Sequence, residues 1–383
     1  MSGIPASPSR RLRTILREHR LCAQCLRRQV PDTPGGEGAK GECELCGGVF
    51  SRIPETVSKI REALNGYQFE SFMVGATVPA KVVEKEDAIR ARYKLKGGVT
   101  LKSALTRELN TALHRDLGKK VDHEDPEMVV LLAPYTNGIG INPRPIYLAG
   151  RYVKRRRGLA QKRTRCRSCF GAGCEKCSGT GSSQEGSVEE ELSKRLLQQF
   201  GGSGVRFTWV GSEDAASLVK GRGRPFYAEV LSPKIRKLPS LPPSWRKGDV
   251  ALVAPALERA KPSGARRFDV RVQVNTCFEV GLTQERRRAI EEAFRNCVVK
   301  MDSPNKPKVL RKAVRNLKVV RVAGGRATII FDCDGGLNVR RFVTGEGSTV
   351  PSLSSVAGCG VSLDEARPFD VLDVTLRPLS RTD

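Results

Sequence analysis

The chain has 383 residues, which is long enough for two or three domains with cores of their own. It carries 67 Lys and Arg against 41 Asp and Glu, and the resulting formal net charge of +26 makes a polyanion the expected partner. No apolar run approaches the roughly 20 residues that span a membrane, so nucleic acid is favoured over a membrane surface.

The twelve cysteines predict metal binding rather than disulfides. Eight of them form four Cys-x-x-Cys pairs, and the basic N-terminal stretch lacks the apolar segment of a signal peptide. The first two pairs are separated by a 17-residue spacer, which is typical of a closed tetrahedral site with four thiolates. Its predicted ligands are Cys22, Cys25, Cys43 and Cys46. We therefore expect structural zinc and a reducing, cytoplasmic location.

Residues 51–145 predict alternating helices and strands. Residues 53–66 and 103–117 have the apolar spacing of amphipathic helices, whereas residues 67–83 are typical of a strand, a turn and a second strand. Residues 129–132 form a short apolar run, as in a buried strand. This order, with the Phe72-x-Val74-Gly75 strand and the Val121-Asp122-x-x-x-Pro126 turn, resembles a THUMP-type RNA-binding domain, and a generic α/β domain remains the alternative.

Residues 145–165 contain eight Lys and Arg with two tyrosines interleaved. A charge run of this kind is usually a solvated face, and that alternative stays open. Because the run joins two segments with RNA-related features, we expect contact with phosphates. The predicted contact residues are Arg151, Lys154 and Arg155.

A second group of four cysteines follows at residues 166–177. The spacing predicts a second metal site, and the glycines around it supply the backbone conformations that a tight thiolate turn requires. Its predicted ligands are Cys166, Cys169, Cys174 and Cys177. A redox dithiol or a set of free thiols is the alternative.

Residues 209–230 are the centre of the interpretation. An apolar entry leads into a Gly-Ser-Glu-Asp turn that ends at Asp214, and a predicted loop at residues 220–224 presents cations that include Arg222 and Arg224. A carboxylate beside cations is held ionised and can act as a nucleophile or a base. The alternative is an Asx-turn, in which Asp214 bonds only to nearby backbone amides.

Three further elements surround this segment. Ser187 and Glu190 form a capping box that predicts a helix over residues 187–200. Residues 267–280 alternate like a half-buried strand, and Thr283 predicts the start of a helix that continues to Val298.

Residues 209–230 and 331–356 together resemble the archaeal and eukaryotic tRNA pseudouridine synthase family that modifies T-arm uridines. The matching residues of the first segment are Gly211, Glu213, Asp214, Gly221, Gly223, Arg224, Pro225 and Phe226. Those of the second segment are Gly335, Gly336, Leu337, Val339, Arg340, Gly345, Glu346, Pro351 and Ser352. Ser212 departs from the family, which usually has arginine there.

The resemblance implies an α+β protein that isomerises uridine at T-arm positions 54 and/or 55. It implies a zinc module at 1–50, a THUMP-like domain at 51–145, and a catalytic domain at 146–383 with a Cys-x-x-Cys insertion at 166–177. The catalytic domain would have a central mixed, mostly antiparallel sheet flanked by helices. A tRNA partner, a monomeric state and structural zinc without an organic cofactor are also implied.

The resemblance assigns roles to individual residues. Asp214 would be the catalytic aspartate and Arg340 its cationic partner. Phe268, Leu337 and Val339 would hold the uracil, although a core position for Phe268 is the alternative. Arg222 and Arg224 would bind the substrate.

Two rival functions are compatible with the sequence. One is a catalytically degenerate tRNA-binding protein, since Ser212 and Phe268 depart from the family pattern. The other is a different THUMP-bearing tRNA enzyme, such as a thiolase or a methyltransferase. That second rival requires a glycine loop for a nucleotide or a methyl donor, and the sequence has no such motif.

Overall fold

The computed structural model describes residues 8–30, 38–39, 41–179, 181–182, 186–238, 243–260, 266–302 and 309–378. The chain divides into two compact units. Unit 1 is Met1–Arg144 with Ser232–Arg236, and unit 2 is Pro145–Leu231 with Lys237–Asp383. The division at 1–50, 51–145 and 146–383 remains a prediction. No helix of the described ranges is both long and apolar enough to cross a membrane.

Unit 1 combines five helices with a four-stranded sheet in its described part. Its elements are α1 Pro8–Glu18, α2 Ala23–Gln29, α3 Ile53–Ala63, β1 Ser71–Ala76, α4 Ala80–Arg92, α5 Leu101–Leu117, β2 Lys120–Val121, β3 Met128–Ala133 and β4 Gly138–Pro143. The strand order is β2-β1-β3-β4, with β1 parallel to both neighbours and β4 antiparallel to β3.

Helix α5 shows why the predicted helices form. Thr100 caps its first turn by accepting a hydrogen bond from Ser103 N at 3.1 Å, and Gly118 ends it in the left-handed conformation. Leu105 and Leu109 are buried, since residues four apart share one helix face. The two helices predicted for this unit are confirmed, although α3 ends at Ala63, three residues before the predicted Gly66.

The predicted second strand within residues 67–83 is wrong. The strand β1 is followed by helix α4, which begins at Ala80 after Pro79. Val82 and Val83 suggested a strand, but Glu86 and Ile89 are the buried residues and have helical spacing. Glu86 is satisfied in the core by Arg28 and by Leu101 N at 3.1 Å, so tertiary contacts stabilise the helix.

Unit 2 contains a ten-stranded sheet. Its elements are β5 Ile146–Lys154, a short 3-10 helix Glu175–Cys177, α6 Val188–Phe200, β6 Gly204–Trp209, β7 Val219–Leu231, a second 3-10 helix Pro243–Arg246, β8 Val250–Glu258, β9 Phe268–Phe278, α7 Gln284–Ala293, β10 Asn296–Asp302, β11 Val309–Ala323, β12 Arg326–Asp334, α8 Val339–Thr344, α9 Leu353–Ala357, β13 Val361–Leu363 and β14 Phe369–Leu376.

The main path of this sheet runs β10-β11-β12-β9-β14-β7-β5-β8, while β13 pairs with β9 and β6 pairs with β7. Among the described strands of this ten-stranded sheet, only the β14–β7 pairing is parallel. Helix α6 begins after the predicted cap Ser187 and buries Leu192 and Leu196 in the sheet core. The predicted α+β class with a mixed, mostly antiparallel sheet is confirmed.

Two element predictions in unit 2 need correction. Residues 220–224 were predicted as a loop, but they belong to strand β7, where a register shift against β5 accommodates them. The helix after Thr283 ends at Ala293 instead of Val298. Residues Asn296–Asp302 pair with β11, and their buried residues Val299 and Met301 alternate as a strand requires.

Strand β9 positions the candidate site. Successive side chains of a strand point to opposite faces, so Phe268, Val270 and Val272 lie on one face. The antiparallel neighbour β12 places Cys333 opposite Val270, and β14 places Val371 opposite Val272. This shared face forms the floor of a cavity.

Candidate active site

A cavity of about 520 Å³ opens on this face of unit 2. It collects side chains from five separate stretches of the chain, which are 211–214, β7, β9, residues 333–340 and β14. Its lining residues are Gly211, Ser212, Glu213, Asp214, Arg224, Phe268, Val270, Val272, Cys333, Asp334, Gly336, Leu337, Asn338, Val339, Arg340, Phe369 and Val371. Asp214, Arg340, Phe268, Leu337, Val339 and Arg224, all predicted as site residues, therefore meet in one place.

The Asp214 turn rests on a buried polar network. Glu213, the residue before Asp214, has a side chain that is 0% exposed, with its Oε2 2.8 Å from Arg224 Nε. Tyr152 donates its hydroxyl to Glu213 Oε1 at 2.7 Å, and Gln161 donates its amide to Glu213 Oε2 at 3.2 Å. Neighbouring side chains in the turn thus separate, with Glu213 anchored inside and Asp214 exposed at the cavity.

Lys154 also stabilises the Asp214 turn through hydrogen bonds to its backbone. It is 0% exposed, and its Nζ donates to the backbone oxygens of Leu159 at 2.8 Å and Asp214 at 3.0 Å. Burial lowers the pKa of Lys154, and Glu213 and Asp214 oppose that shift. Burial, together with the Glu213 charge, raises the pKa of Tyr152 well above its ordinary value, so its hydroxyl remains a donor to Glu213.

Three residues of this network were not predicted as site residues, namely Tyr152, Gln161 and Glu213. A local signal existed for Glu213, because it adjoins Asp214 in the matched turn. Tyr152 and Gln161 are 61 and 52 residues from Glu213, so only the folded chain brings them together.

Three carboxylates line the cavity, and their partners distinguish them. Glu213 faces Arg224, and Asp334 pairs with Arg315 at 3.1 Å and also with Arg377. Asp214 has no ion pair within the described ranges. Its Oδ1 accepts a hydrogen bond from Ala216 N at 2.8 Å, so the Asx-turn alternative is present. That bond orients the carboxylate. Among the three carboxylates that line the cavity, Asp214 is the one without a cationic partner in the described residues.

The predicted pair between Arg340 and Asp214 is not formed in the structure. Arg340 lies in the first turn of α8, and its side chain is exposed at the cavity. No ion pair within 4.0 Å joins it to Asp214 in the described part of the chain. Both residues nevertheless line the same space, so a ligand there can contact both.

The Phe268 ring is held between two motif glycines. A Cβ on Gly335 would lie 2.4 Å from the ring Cζ, and a Cβ on Gly211 would lie 2.6 Å from it. Real Cβ atoms do not approach that closely, so the ring fits only because both residues are glycine. The half-buried ring packs on the core, as the alternative expects, and also lines the cavity, while its contact with uracil remains a prediction.

The predicted phosphate and substrate contacts divide into buried and accessible cations. Lys154 is 0% and Arg224 is 2% exposed, so both are buried against the Asp214 turn, and Arg224 also lines the cavity. Arg222 is exposed and paired with Asp373. Arg151 and Arg155 donate to backbone oxygens, Arg151 to Arg222 O at 3.0 Å and Arg155 to Arg246 O at 3.0 Å.

We expect Arg224→Met to reduce the free energy of unfolding of unit 2 by about 3 to 5 kcal/mol, because it leaves the buried Glu213 charge without its cation. Tryptophan fluorescence during urea denaturation measures this loss, since both tryptophans of the chain, Trp209 and Trp245, belong to unit 2. The matched control is Arg222→Met on the same strand, where an exposed pair contributes about 1 kcal/mol or less. Equal losses from the two variants would contradict the buried role of Arg224.

The two cysteine groups fit tetrahedral metal sites. Four sulfur atoms bound about 2.3 Å from one ion lie about 3.8 Å apart at tetrahedral geometry. Cys22 and Cys46 Sγ are 3.7 Å apart in the first group, and Cys166 and Cys174 Sγ are 3.9 Å apart in the second. All sulfur pairs within each group lie within 4.8 Å. None of these cysteines is in a disulfide.

Backbone donors favour the thiolate form of Cys177 in the second group. Cys177 Sγ accepts from Cys174 N and from Gly181 N, both at 3.2 Å. The Cys174 amide, followed by that of Gly181, lowers the pKa of Cys177 to about 6. Thiolate is the form that binds metal, so this geometry suits a metal ligand.

Two family models match separate segments of the chain. The family model described as Pus10 THUMP domain, archaeal, matches residues 56–133. The model described as Pus10, C-terminal, matches residues 147–244, which include the Asp214 turn.

Full-length relatives extend the match over nearly the whole chain. The tRNA pseudouridine synthase Pus10 of Nitrosopumilus maritimus is 28% identical over 379 residues, covering 95% of this chain and 97% of the relative. That of Cenarchaeum symbiosum is 30% identical over 341 residues, covering 89% and 83%. The crystal structure of a Cbf5-Nop10-Gar1 complex superposes with a TM-score of 0.30 at 10% identity, covering 48% of this chain and 44% of that chain, which is too loose to support an argument.

The resemblance noted in the sequence is thereby confirmed: the chain belongs to the archaeal Pus10 family of tRNA pseudouridine synthases, which are isomerases.

Proposed function

We propose that this protein converts uridine to pseudouridine in the T-arm of tRNA, at positions 54, 55 or both, with Asp214 as the catalytic carboxylate. The observation that carries the proposal is the state of the three cavity carboxylates. Glu213 and Asp334 are neutralised by arginines, whereas Asp214 is exposed without an ion pair in the described residues. A free carboxylate can act as a nucleophile or assist bond cleavage.

The reaction is an isomerisation that consumes no other reactant. The bond from ribose C1′ to uracil N1 breaks, the uracil turns, and C1′ bonds to C5. C5 loses a proton and N1 gains one, so atoms and electrons balance. Asp214 would act as the nucleophile or as the group that assists glycosidic cleavage.

The target uridine must leave the base stack to reach Asp214. A cavity of about 520 Å³ has the size of typical small-molecule sites, so it can hold one extruded nucleotide. The Phe268 ring offers a face for stacking, and Leu337 and Val339 add apolar walls. Arg340, exposed and at the same cavity, would attract the nucleotide's phosphate or the reacting carboxylate.

Zinc is the proposed ion of both four-cysteine groups. Thiolate sets of this geometry are typical of zinc, and four protein ligands leave no position open for chemistry. Zinc would therefore stabilise the fold. The proposal of zinc rests on the sulfur spacing described above.

Unit 1 would recognise the tRNA. The archaeal THUMP model matches within this unit, and the resemblance of this segment to a THUMP-type domain implies RNA binding. In unit 2, the exposed cations Arg155 and Arg222 would contact phosphates, and their contribution should weaken with salt. A monomeric state and a cytoplasmic location stay predictions.

The test is pseudouridine mapping on unmodified tRNA transcripts incubated with the protein. Carbodiimide-dependent stops of primer extension in the T-arm are expected, and transcripts with cytidine at position 54 or at position 55 separate the two targets. Stops confined to another loop would overturn the proposed position. Tight tRNA binding without any stop would instead support the catalytically degenerate alternative.

A further inference from the structure

The second cysteine group carries an aromatic side chain on its outside. Phe170, which lies between the ligands Cys169 and Cys174, is 80% exposed, far more than the other large apolar residues found exposed in the described part of the chain. Those residues range from 40% to 62% and are all Val or Leu. Phe170 is thus the one aromatic ring of that set offered to solvent.

The backbone of Phe170 adopts a conformation that is unfavourable for an aromatic residue. Phe170 has a φ of 51°, in the left-handed region that bulky residues avoid. Its N–H donates to Cys166 O at 2.8 Å, and Ala172 N donates to Cys169 O at 2.9 Å, so the turn around the thiolates sets its conformation. Neither burial nor backbone preference therefore favours an aromatic residue at this position.

Exposed cations flank Phe170 along the chain. Arg165, Arg167 and Lys176 are exposed and have no ion pair among the described residues. A Cβ at Gly171 would lie 3.6 Å from Arg165 Cδ, so the stem of Arg165 runs beside the residue that follows Phe170. Residues 162–176 contain five Lys and Arg and one acidic residue, Glu175. One aromatic face beside several cations matches the chemistry of single-stranded nucleic acid, in which a stacking base adjoins phosphates.

We propose that Phe170 stacks on an unpaired base of the bound tRNA while Arg165 and Arg167 contact the adjacent phosphates. The four-cysteine group then serves as a rigid mount for an RNA contact outside the catalytic cavity. This inference rests on the proposed function, because it takes tRNA as the ligand. A flat apolar protein partner fits less well, since it would require several apolar neighbours around the ring.

Two substitutions in the full-length protein separate stacking from charge. Phe170→Leu keeps an apolar side chain but removes the ring, and the dissociation constant for unmodified tRNA should rise about 5- to 100-fold. Phe170→Trp keeps a stacking ring, so binding should stay within about twofold of wild type. The fluorescence of the new tryptophan should also fall at saturating tRNA. The signal of the wild-type protein, which comes from Trp209 and Trp245, is subtracted to isolate it.

Zinc content and urea denaturation are measured on both variants, and unchanged values show that the turn remains folded. Unchanged binding by Phe170→Leu, or unquenched fluorescence of Phe170→Trp in a complex that still forms pseudouridine, overturns the inference and leaves the proposed function intact. If the wild-type protein neither bound tRNA nor formed pseudouridine, that result would instead overturn the proposed function. Quenching or a blue shift with phosphatidylserine vesicles but not with tRNA would also overturn the inference in favour of a membrane contact.

Discussion

Asp214→Asn is expected to abolish pseudouridine formation, with a loss of about 10,000-fold or more in rate. The asparagine amide oxygen can still accept the hydrogen bond from Ala216 N, so the turn should persist while the negative charge disappears. The exposed position of Asp214 means that stability should change by no more than about 0.5 kcal/mol. Single-turnover assays on unmodified tRNA, with binding measured in parallel, test the prediction.

Two control variants make the result interpretable. Asp334→Asn alters the other accessible cavity carboxylate, whose charge is already engaged by Arg315 and Arg377, so it should reduce stability and affect the rate far less than Asp214→Asn. Asp87→Asn changes an exposed residue of α4 and should leave the rate unchanged. An active Asp214→Asn enzyme beside an inactive Asp334→Asn enzyme would transfer the catalytic role to Asp334.

Loss of the first metal site is the second large effect we expect. Cys25, Cys43 and Cys46 are at most 3% exposed and belong to the core cluster of unit 1. Structural zinc binding amounts to about 10 to 16 kcal/mol in small zinc domains, which exceeds or equals the roughly 5 to 15 kcal/mol stability of a typical domain. Cys25→Ser should therefore unfold much of unit 1, measured as lost circular dichroism, weakened tRNA binding and one zinc fewer per chain.

The second metal site provides the matched control. Cys169→Ser removes a half-buried ligand from a turn outside the core cluster, so it should also release one zinc but preserve the cooperative unfolding of both units. The fluorescence of Trp209 and Trp245 follows unit 2 separately in both variants. If Cys25→Ser retained full zinc and an unchanged unfolding transition, the structural role of the first site would be refuted.

Local sequence rules predicted the features that depend on nearby residues. The spacing of the cysteine pairs anticipated two groups of converging sulfurs, because a Cys-x-x-Cys turn can place two thiolates on one ion whatever surrounds it. Ser187 capped its helix as predicted, because the capping bond reaches only three residues along the chain. The glycine-rich motifs identified the family before the fold was known, and they meet at one cavity.

Several errors arose where tertiary contacts override local preference. Val82 and Val83 favoured a strand, but the buried contacts of Glu86 and Ile89 stabilise a helix. Residues 296–298 were assigned to a helix, yet pairing with β11 makes them a strand. In both cases a distant segment supplies the partner that decides the local conformation.

The sequence by itself determined the family, the two cysteine sites, and Asp214 as the candidate catalyst. Only the tertiary structure decided which charges are available at the cavity. Lys154 and Arg224 look like their exposed neighbours in a basic sequence, but they are buried beneath the turn. Glu213 and Asp214 are adjacent, but only Glu213 meets Tyr152, from 61 residues away, and Arg224. The physical reason is that burial and ion pairing depend on strands brought together by the sheet, and spacing along the chain does not encode them.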